Sequence, residues 1–292
     1  RTSADDAFPL YWDNPYWSRY KNYQNDGRDR FFGNVALTWK INNWLSLGGR
    51  VLQDYYGEFR EERIAVGSLS PSRYSLDQYT VGETNTDLIL RAERSVGESF
   101  SYSAFVGGNK LWRSTKRHRG VTRGGLNVPD IYTLQNSVER PLVQTNVSEK
   151  QIESVFGGLS LGWRSTLFLD LTGRQDWSST LPEANNGYFY PSASLSYVFS
   201  EMVNIPTMTF GKLRLGWAKV GNDTDPYNIL TTYTPRDNFG NAPVFTVPNT
   251  LNNRSLLPEE TSTLEAGLDL RFFKNRLGLD LAVYSGKTTN QI

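Results

Sequence analysis

Apolar and polar residues alternate with a period of two about ten times along this chain, and no other feature constrains its fold as much. Successive side chains of a β-strand point to opposite faces, so each such segment reads as a strand with one apolar and one polar face. Residues 31–40 place Phe31, Val35, Leu37 and Trp39 on one face and Asn34, Thr38 and Lys40 on the other. Residues 44–54 set Leu45, Leu47 and Val51 against Ser46, Arg50 and Asp54, after a turn of Ile41, Asn42 and Asn43. The pattern continues through 84–95, 100–110, 154–163, 167–176, 189–199, 212–221, 261–273 and 276–286. It predicts Leu169, Leu195, Leu215, Leu268 and Leu279 on the apolar face and Asp170, Ser194, Arg214, Asp269 and Asp280 on the polar one.

The connections sharpen this reading. Short links at 41–43, 96–99, 164–166 and 274–275, with an intermediate one at 200–211, alternate with long ones at 55–83, 111–153, 178–188 and 222–260. Short turns on one side and long loops on the other are the signature of an outer-membrane barrel. The polar face also carries full charges in mid-strand, at Arg91, Asp170 and Asp269. A wet or plugged lumen accommodates them, whereas the interior of a soluble sandwich would penalise them heavily. The expected fold is all-β, an antiparallel up-and-down transmembrane β-barrel wall of about ten strands. Hairpin turns leave no room for crossovers, so each strand should pair with its sequence neighbour, with 31–40 and 276–286 as open edges.

Composition agrees. The chain has 31 basic and 30 acidic residues, which gives no electrostatic footprint for nucleic acid. It has no cysteine and one histidine, His118, which excludes thiolate sites and disfavours a Ser-His-Asp triad. No apolar run is long enough for a transmembrane helix, yet aromatics reach 13%. Many of them stand near strand ends, at Trp39, Trp44, Phe100, Trp163, Trp177, Phe199, Phe272 and Phe273, where a membrane–water interface would hold them. Arg1 to Asp6 carry no apolar signal region, and the chain is expected to begin within a longer protein.

Catalytic chemistry is hard to find. Phosphate-cradling glycine loops, H-E-x-x-H and G-x-S-x-G are missing. Glu61-Glu62 and Glu259-Glu260 are paired carboxylates, but neighbours in a strand point apart, so neither reads as a catalytic pair. Gly221-Asn222-Asp223-Thr224-Asp225 offers oxygen ligands without the later bidentate Glu of a calcium loop, and reads as a polar turn. Neither an enzymatic activity nor a cofactor is expected. The ligand-binding candidates are rings on the long-loop side: Tyr55, Tyr56, Trp112, Trp177, Tyr227 and Tyr233. Such rings hold a flexible polar oligomer at little entropic cost. For Trp177 an interface anchor is the alternative role.

Beyond its pattern, the wording of the sequence resembles the SusC/RagA family of TonB-linked outer-membrane proteins. Asn14-Pro15-Tyr16-Trp17, Arg28-Asp29-Arg30-Phe31 and Trp44-Leu45-Ser46-Leu47 are similar to that family. So are Asp176-Trp177-Ser178-Ser179-Thr180-Leu181-Pro182, Gly187-Tyr188-Phe189-Tyr190-Pro191-Ser192, Val198-Phe199-Ser200-Glu201 and Leu257-Pro258-Glu259-Glu260-Thr261. The resemblance implies that residues 1–292 form part of one plugged barrel of about 22 strands, without counterparts of the plug and the closing C-terminal strands. It implies residence in the outer membrane of Bacteroidota-type bacteria. It also implies import of bulky oligosaccharides or oligopeptides, a SusD-like surface lipoprotein partner, and energy from the TonB complex. A passive porin is the competing reading, and a soluble carbohydrate-binding β-protein is a more distant one.

Overall fold

The computed structural model describes residues 12–97 and 99–292. The N-terminal Arg1–Asp6 segment, and Glu98 in the second short turn, lie outside the described residues. Ten strands form one sheet in the order β1 (Tyr23–Lys40), β2 (Leu45–Ile64), β3 (Arg73–Val96), β4 (Phe100–Leu126), β5 (Ser137–Trp163), β6 (Leu167–Ser178), β7 (Gly187–Tyr197), β8 (Met208–Asn222), β11 (Glu259–Phe272) and β12 (Leu277–Thr289). Between β8 and β11 the chain makes a separate antiparallel hairpin, β9 (Thr234–Phe239) with β10 (Ala242–Thr246). The expected meander is therefore present, with β1 and β12 at the two ends of the order.

The register fixes the two faces. Directly opposed residues of an antiparallel pair share a face. Leu161, Leu169, Leu195, Leu215, Ala266 and Val283 form one continuous row across β5, β6, β7, β8, β11 and β12. Leu268 lies opposite Leu213 and Leu281, and Leu279 opposite Leu270, on the same apolar face. Asp170 stands between Ser160 and Ser194, and Asp269 between Lys212 and Asp280, on the polar face. A slip of one residue in any strand would have inverted it, so the sequence assignment of sides holds in each.

Mid-strand charges on the polar face are satisfied sideways. Arg50 donates to Asp87 at 2.9 Å, and Asp87 also accepts from Asn109 at 2.7 Å. Ser160 donates to Asp170 at 2.5 Å, and Arg214 to Asp280 at 2.6 Å. Lys219, which interrupts the apolar face at the far end of β8, is paired with Glu260 at 2.7 Å.

Two of the four expected long loops are corrected. Residues 55–83 and 111–153 are mostly strand, because β2, β3, β4 and β5 run for 20, 24, 27 and 27 residues. Only 65–72 and 127–136 remain as connections. An apolar alternation marks a strand only while one face is covered. Where both faces are polar the signal vanishes, although backbone pairing continues. A short helix, α1 (Pro15–Tyr20), also escaped the periodicity. Asn14 caps it by accepting from the Tyr16 N–H at 2.9 Å, and Pro15 occupies the first turn, where no N–H is needed. Its buried Trp17 donates to Ser68 at 2.8 Å, and the backbone N–H of Ala65 donates to Asn22 at 2.8 Å. This clasp explains why the Asn-Pro-Tyr-Trp wording is there.

Compactness divides the chain into two units that cut across the first five strands. One comprises 1–33, 52–84 and 113–149; the other comprises 34–51, 85–112 and 150–292.

Candidate functional site

Within the first unit, β1 to β4 build a polar cleft of about 530 Å³, a size suited to a small ligand or one segment of a larger one. It lies along the second halves of β2 and β4, away from their short turns. The cleft follows from a period-two charge pattern. Glu58, Arg60 and Glu62 share one face of β2, Ser75, Asp77 and Tyr79 one face of β3, and Arg117 and Arg119 one face of β4.

Glu58 is the hub of the cleft. Its buried carboxylate accepts from Arg28 Nε at 2.7 Å and from Arg60 Nε. Arg60 and Arg28 together hold the Glu58 carboxyl below the usual glutamate range, against the opposing effect of its burial. Asp77 accepts from Arg117 Nε at 2.7 Å and keeps that guanidinium firmly protonated. Tyr79 is flanked by two cations, with Arg60 5.1 Å and Arg117 5.4 Å from its ring centroid. Arg28 lies 4.6 Å over the Tyr56 ring. Glu61 accepts from Arg63 at 2.9 Å and from the Tyr74 hydroxyl at 3.1 Å, whereas Glu62 accepts from Arg73 at 2.8 Å. The adjacent carboxylates thus serve separate partners, as expected for strand neighbours. Burial and the Glu61 hydrogen bond raise the Tyr74 hydroxyl above its ordinary value, so it stays a donor.

The Glu58 and Asp77 carboxylates lie beneath and their arginines above, whereas Glu62 and Asp26 are open to solvent. Side-chain exposure is 4% for Glu58 and 16% for Asp77, against 48%, 56% and 33% for Arg28, Arg60 and Arg117. Buried acids of this kind fix the planar forks of arginine in place and leave their remaining N–H groups available.

The six sequence-predicted rings are divided between the two units, Tyr55 and Tyr56 in the first and Trp112, Trp177, Tyr227 and Tyr233 in the second. Tyr55 and Tyr56 are consecutive in β2, so they face opposite sides, and only Tyr56 contacts a residue of the cleft among the described contacts. Trp177 lies directly opposite Glu153, on the face of Leu169 and Leu171. Glu153 is bridged to Lys110 at 2.9 Å, and alternation from Lys110 carries Trp112 to that same face. Tyr227 and Tyr233 are exposed in the connection between β8 and β9, Tyr227 at a positive φ of 69°. The residues that sequence reasoning missed are Arg28, Glu58, Arg60, Asp77 and Arg117. Their signal was there, as charges spaced by two, but Glu58, Arg60, Asp77 and Arg117 lay within segments read as loop, and Arg28 before the first segment read as strand.

Among the described residues no His, Cys, Asp and Glu cluster could hold a metal. The turn at Asp223 is a structural clasp instead. Its buried carboxylate takes Lys150 Nζ at 2.6 Å, Ser178 Oγ at 2.5 Å and Thr180 Oγ1 at 3.2 Å. Ser178 and Thr180 belong to the Asp-Trp-Ser-Ser-Thr-Leu-Pro wording, which thereby ties the β6–β7 connection to the strand end of β8.

The model of a family described as TonB dependent receptor-like, beta-barrel, matches residues 1–292. The chain belongs to this family. A TonB-dependent receptor P26 from Formosa agariphila is 26% identical over 303 residues, covering 98% of the chain and 30% of the receptor. The TonB-dependent receptor SusC of Bacteroides thetaiotaomicron is 28% identical over 170 residues, covering 54% of the chain and 17% of SusC. The structure of the RagAB peptide transporter aligns with a TM-score of 0.85 at 16% identity, over 97% of this chain and 33% of that one. A siderophore receptor, PiuA from Acinetobacter baumannii, aligns at 0.53 and 14%. The ten-stranded sheet is thus transmembrane β-barrel wall of the TonB-dependent receptor type, with its leucine rows on the face that such a barrel turns to lipid. The chain spans 30% of the length of the P26 receptor and 29% of that of a second Formosa receptor, P3.

Proposed function

We propose that this chain is part of an outer-membrane importer that takes up bulky polar nutrients, oligosaccharide or oligopeptide, using energy delivered through TonB. The observation that carries this reading is the family match over the whole chain, joined to strands of up to 27 residues that hold a charged cleft at the end away from their short turns. An outer-membrane strand needs only about 9–11 residues to cross, so the additional length in β2 to β5 serves something other than lipid. The substrate would rest against the cleft and the half-buried Tyr56 ring beside it, with a SusD-like lipoprotein closing over it. Tyr55, Trp112 and Trp177 face the other way or stand on the lipid side, where anchoring is the role we assign to the two tryptophans. The chemistry is binding and translocation, with no catalytic step.

Uptake of labelled oligosaccharides and oligopeptides by cells with and without the gene tests this reading. Gene-dependent uptake that stops when a protonophore collapses the inner-membrane potential supports an energised importer. Gene-dependent uptake that continues under the protonophore would make the protein a passive porin instead.

A further inference from the structure

We infer that the β1–β4 cleft recognises an acidic oligosaccharide, through guanidinium groups that stand further out than the Glu58 and Asp77 carboxylates orienting them. The inference rests on the import reading above and narrows its substrate class.

Formal charge alone would not suggest it, since arginines and carboxylates nearly balance around the cleft. What decides is depth. Most of the acids are spent on orientation: Glu58 is shared by Arg28 and Arg60, Asp77 is taken by Arg117, Glu61 by Arg63 and Glu62 by Arg73, which leaves the exposed Asp26 outside these pairs. Each guanidinium has five N–H donors and the bonds to these acids leave several of them unused. Arg119 is the least satisfied. Its Nε is buried and makes no hydrogen bond, lying 3.9 Å from Asp77 Oδ2, beyond hydrogen-bond reach, so the terminal N–H groups are what this residue can offer a ligand. Among the exposed charges of the lining, the guanidiniums of Arg28, Arg60, Arg117 and Arg119 outnumber the carboxylates of Asp26 and Glu62, so a ligand approaching the cleft meets more cations than anions.

Those cations are held ready. Tyr79 between Arg60 and Arg117 restrains both side chains, so less rotamer entropy remains to be lost when a ligand binds. Planar forks fixed in this way match carboxylate or sulfate oxygens with paired, charge-assisted hydrogen bonds.

The remaining lining favours a sugar over a peptide. Gln24, Asn25 and Ser75 add amide and hydroxyl groups suited to sugar hydroxyls. Tyr79, the one aromatic in the lining, has its ring engaged by guanidiniums, and no aliphatic residue lines the cleft. Apolar peptide side chains would find no pocket here, whereas a polyhydroxylated acidic chain would leave few groups unpaired.

The test uses the full-length receptor, purified in detergent, with four labelled probes: oligogalacturonate, dextran sulfate, neutral dextran and poly-L-glutamate. At least one of the two acidic glycans should bind about ten-fold or more tightly than dextran, and binding should weaken as salt is raised. Arg60→Gln combined with Arg117→Gln should remove that preference. Arg119→Gln, which breaks no hydrogen bond at Nε, should reduce it while leaving the barrel intact, as judged by heat-modifiable migration on a gel. Dextran bound as well as both acidic glycans, or full affinity in a correctly assembled Arg119→Gln and double variant, would overturn the inference. Poly-L-glutamate bound as tightly as the better glycan would overturn it in favour of an acidic peptide. Transport is read separately. Arginine-dependent binding without uptake would defeat the import reading and leave the site standing, whereas uptake of neutral dextran would do the reverse.

Discussion

Strands β2 to β5 and strands β6 to β8 belong to one sheet but answer to different solvents. The second group has 12, 11 and 15 residues, close to what a tilted strand needs to cross a bilayer. The odd-numbered positions of β6 and β7 are mostly apolar, and the register lines Leu169 and Leu195 up with leucines of both neighbours. The first group is up to 27 residues long, and the parts remote from the short turns, the second halves of β2 and β4 and the first halves of β3 and β5, carry most of its Arg and Glu. There the sheet is held by backbone pairing and lateral ion pairs, with no apolar face to bury. Lipid thus dictates the composition of a strand only over the crossing length. Past that length the same backbone ladder can be furnished with recognition chemistry.

The largest expected effect probes the short strands. Leu169→Arg, in the middle of the leucine row, should destabilise the assembled barrel by roughly 2–4 kcal/mol, while Ser194→Arg on the polar face should cost far less. Equal tolerance at the two sites in denaturant unfolding would erase the distinction between faces. Next comes the clasp at the end of the short strands. Asp223→Ala strands the partly buried Lys150 and removes the acceptor for Ser178 and Thr180. We expect a loss of about 1–3 kcal/mol, together with proteolytic cleavage within 179–186. A variant as resistant to protease as the wild type would show that the clasp is dispensable.

A smaller effect tests the tryptophans. Trp177→Ala should slow membrane assembly without changing substrate affinity, because its ring shares the face of Leu169. Loss of affinity in an assembled Trp177→Ala protein would return it to the ligand site. The smallest effect concerns pH and the long strands. Glu58 is ionised more readily in the folded protein than at its ordinary value of 4.5, so the stability it adds is fully present above that pH. That contribution should fade only as the pH falls below 4.5, through the lowered folded value. The melting difference between wild type and Glu58→Gln should therefore persist down to 4.5 and then close. A difference that closes at higher pH would show that the arginines do not stabilise this carboxylate.

The strand count, the meander, the short turns and the sidedness of Leu169, Asp170, Leu215 and Asp280 were all legible in the sequence. A boundary between two solvents imprints a period of two on composition, and one wrong register would invert a whole face. The family wording was legible as well, and the structure gives two pieces of it a purpose: Asn14 to Trp17 clasp the β2–β3 connection, and Ser178 with Thr180 hold Asp223. Only the tertiary structure decided that 55–83 and 111–153 are largely strand, that Tyr55 and Tyr56 part company, and that Glu58 sits beneath Arg28 and Arg60. Where both faces of a strand meet water, composition no longer distinguishes ladder from loop. Which charge lies below and which above is then set by side-chain packing between strands, and a linear sequence does not record it.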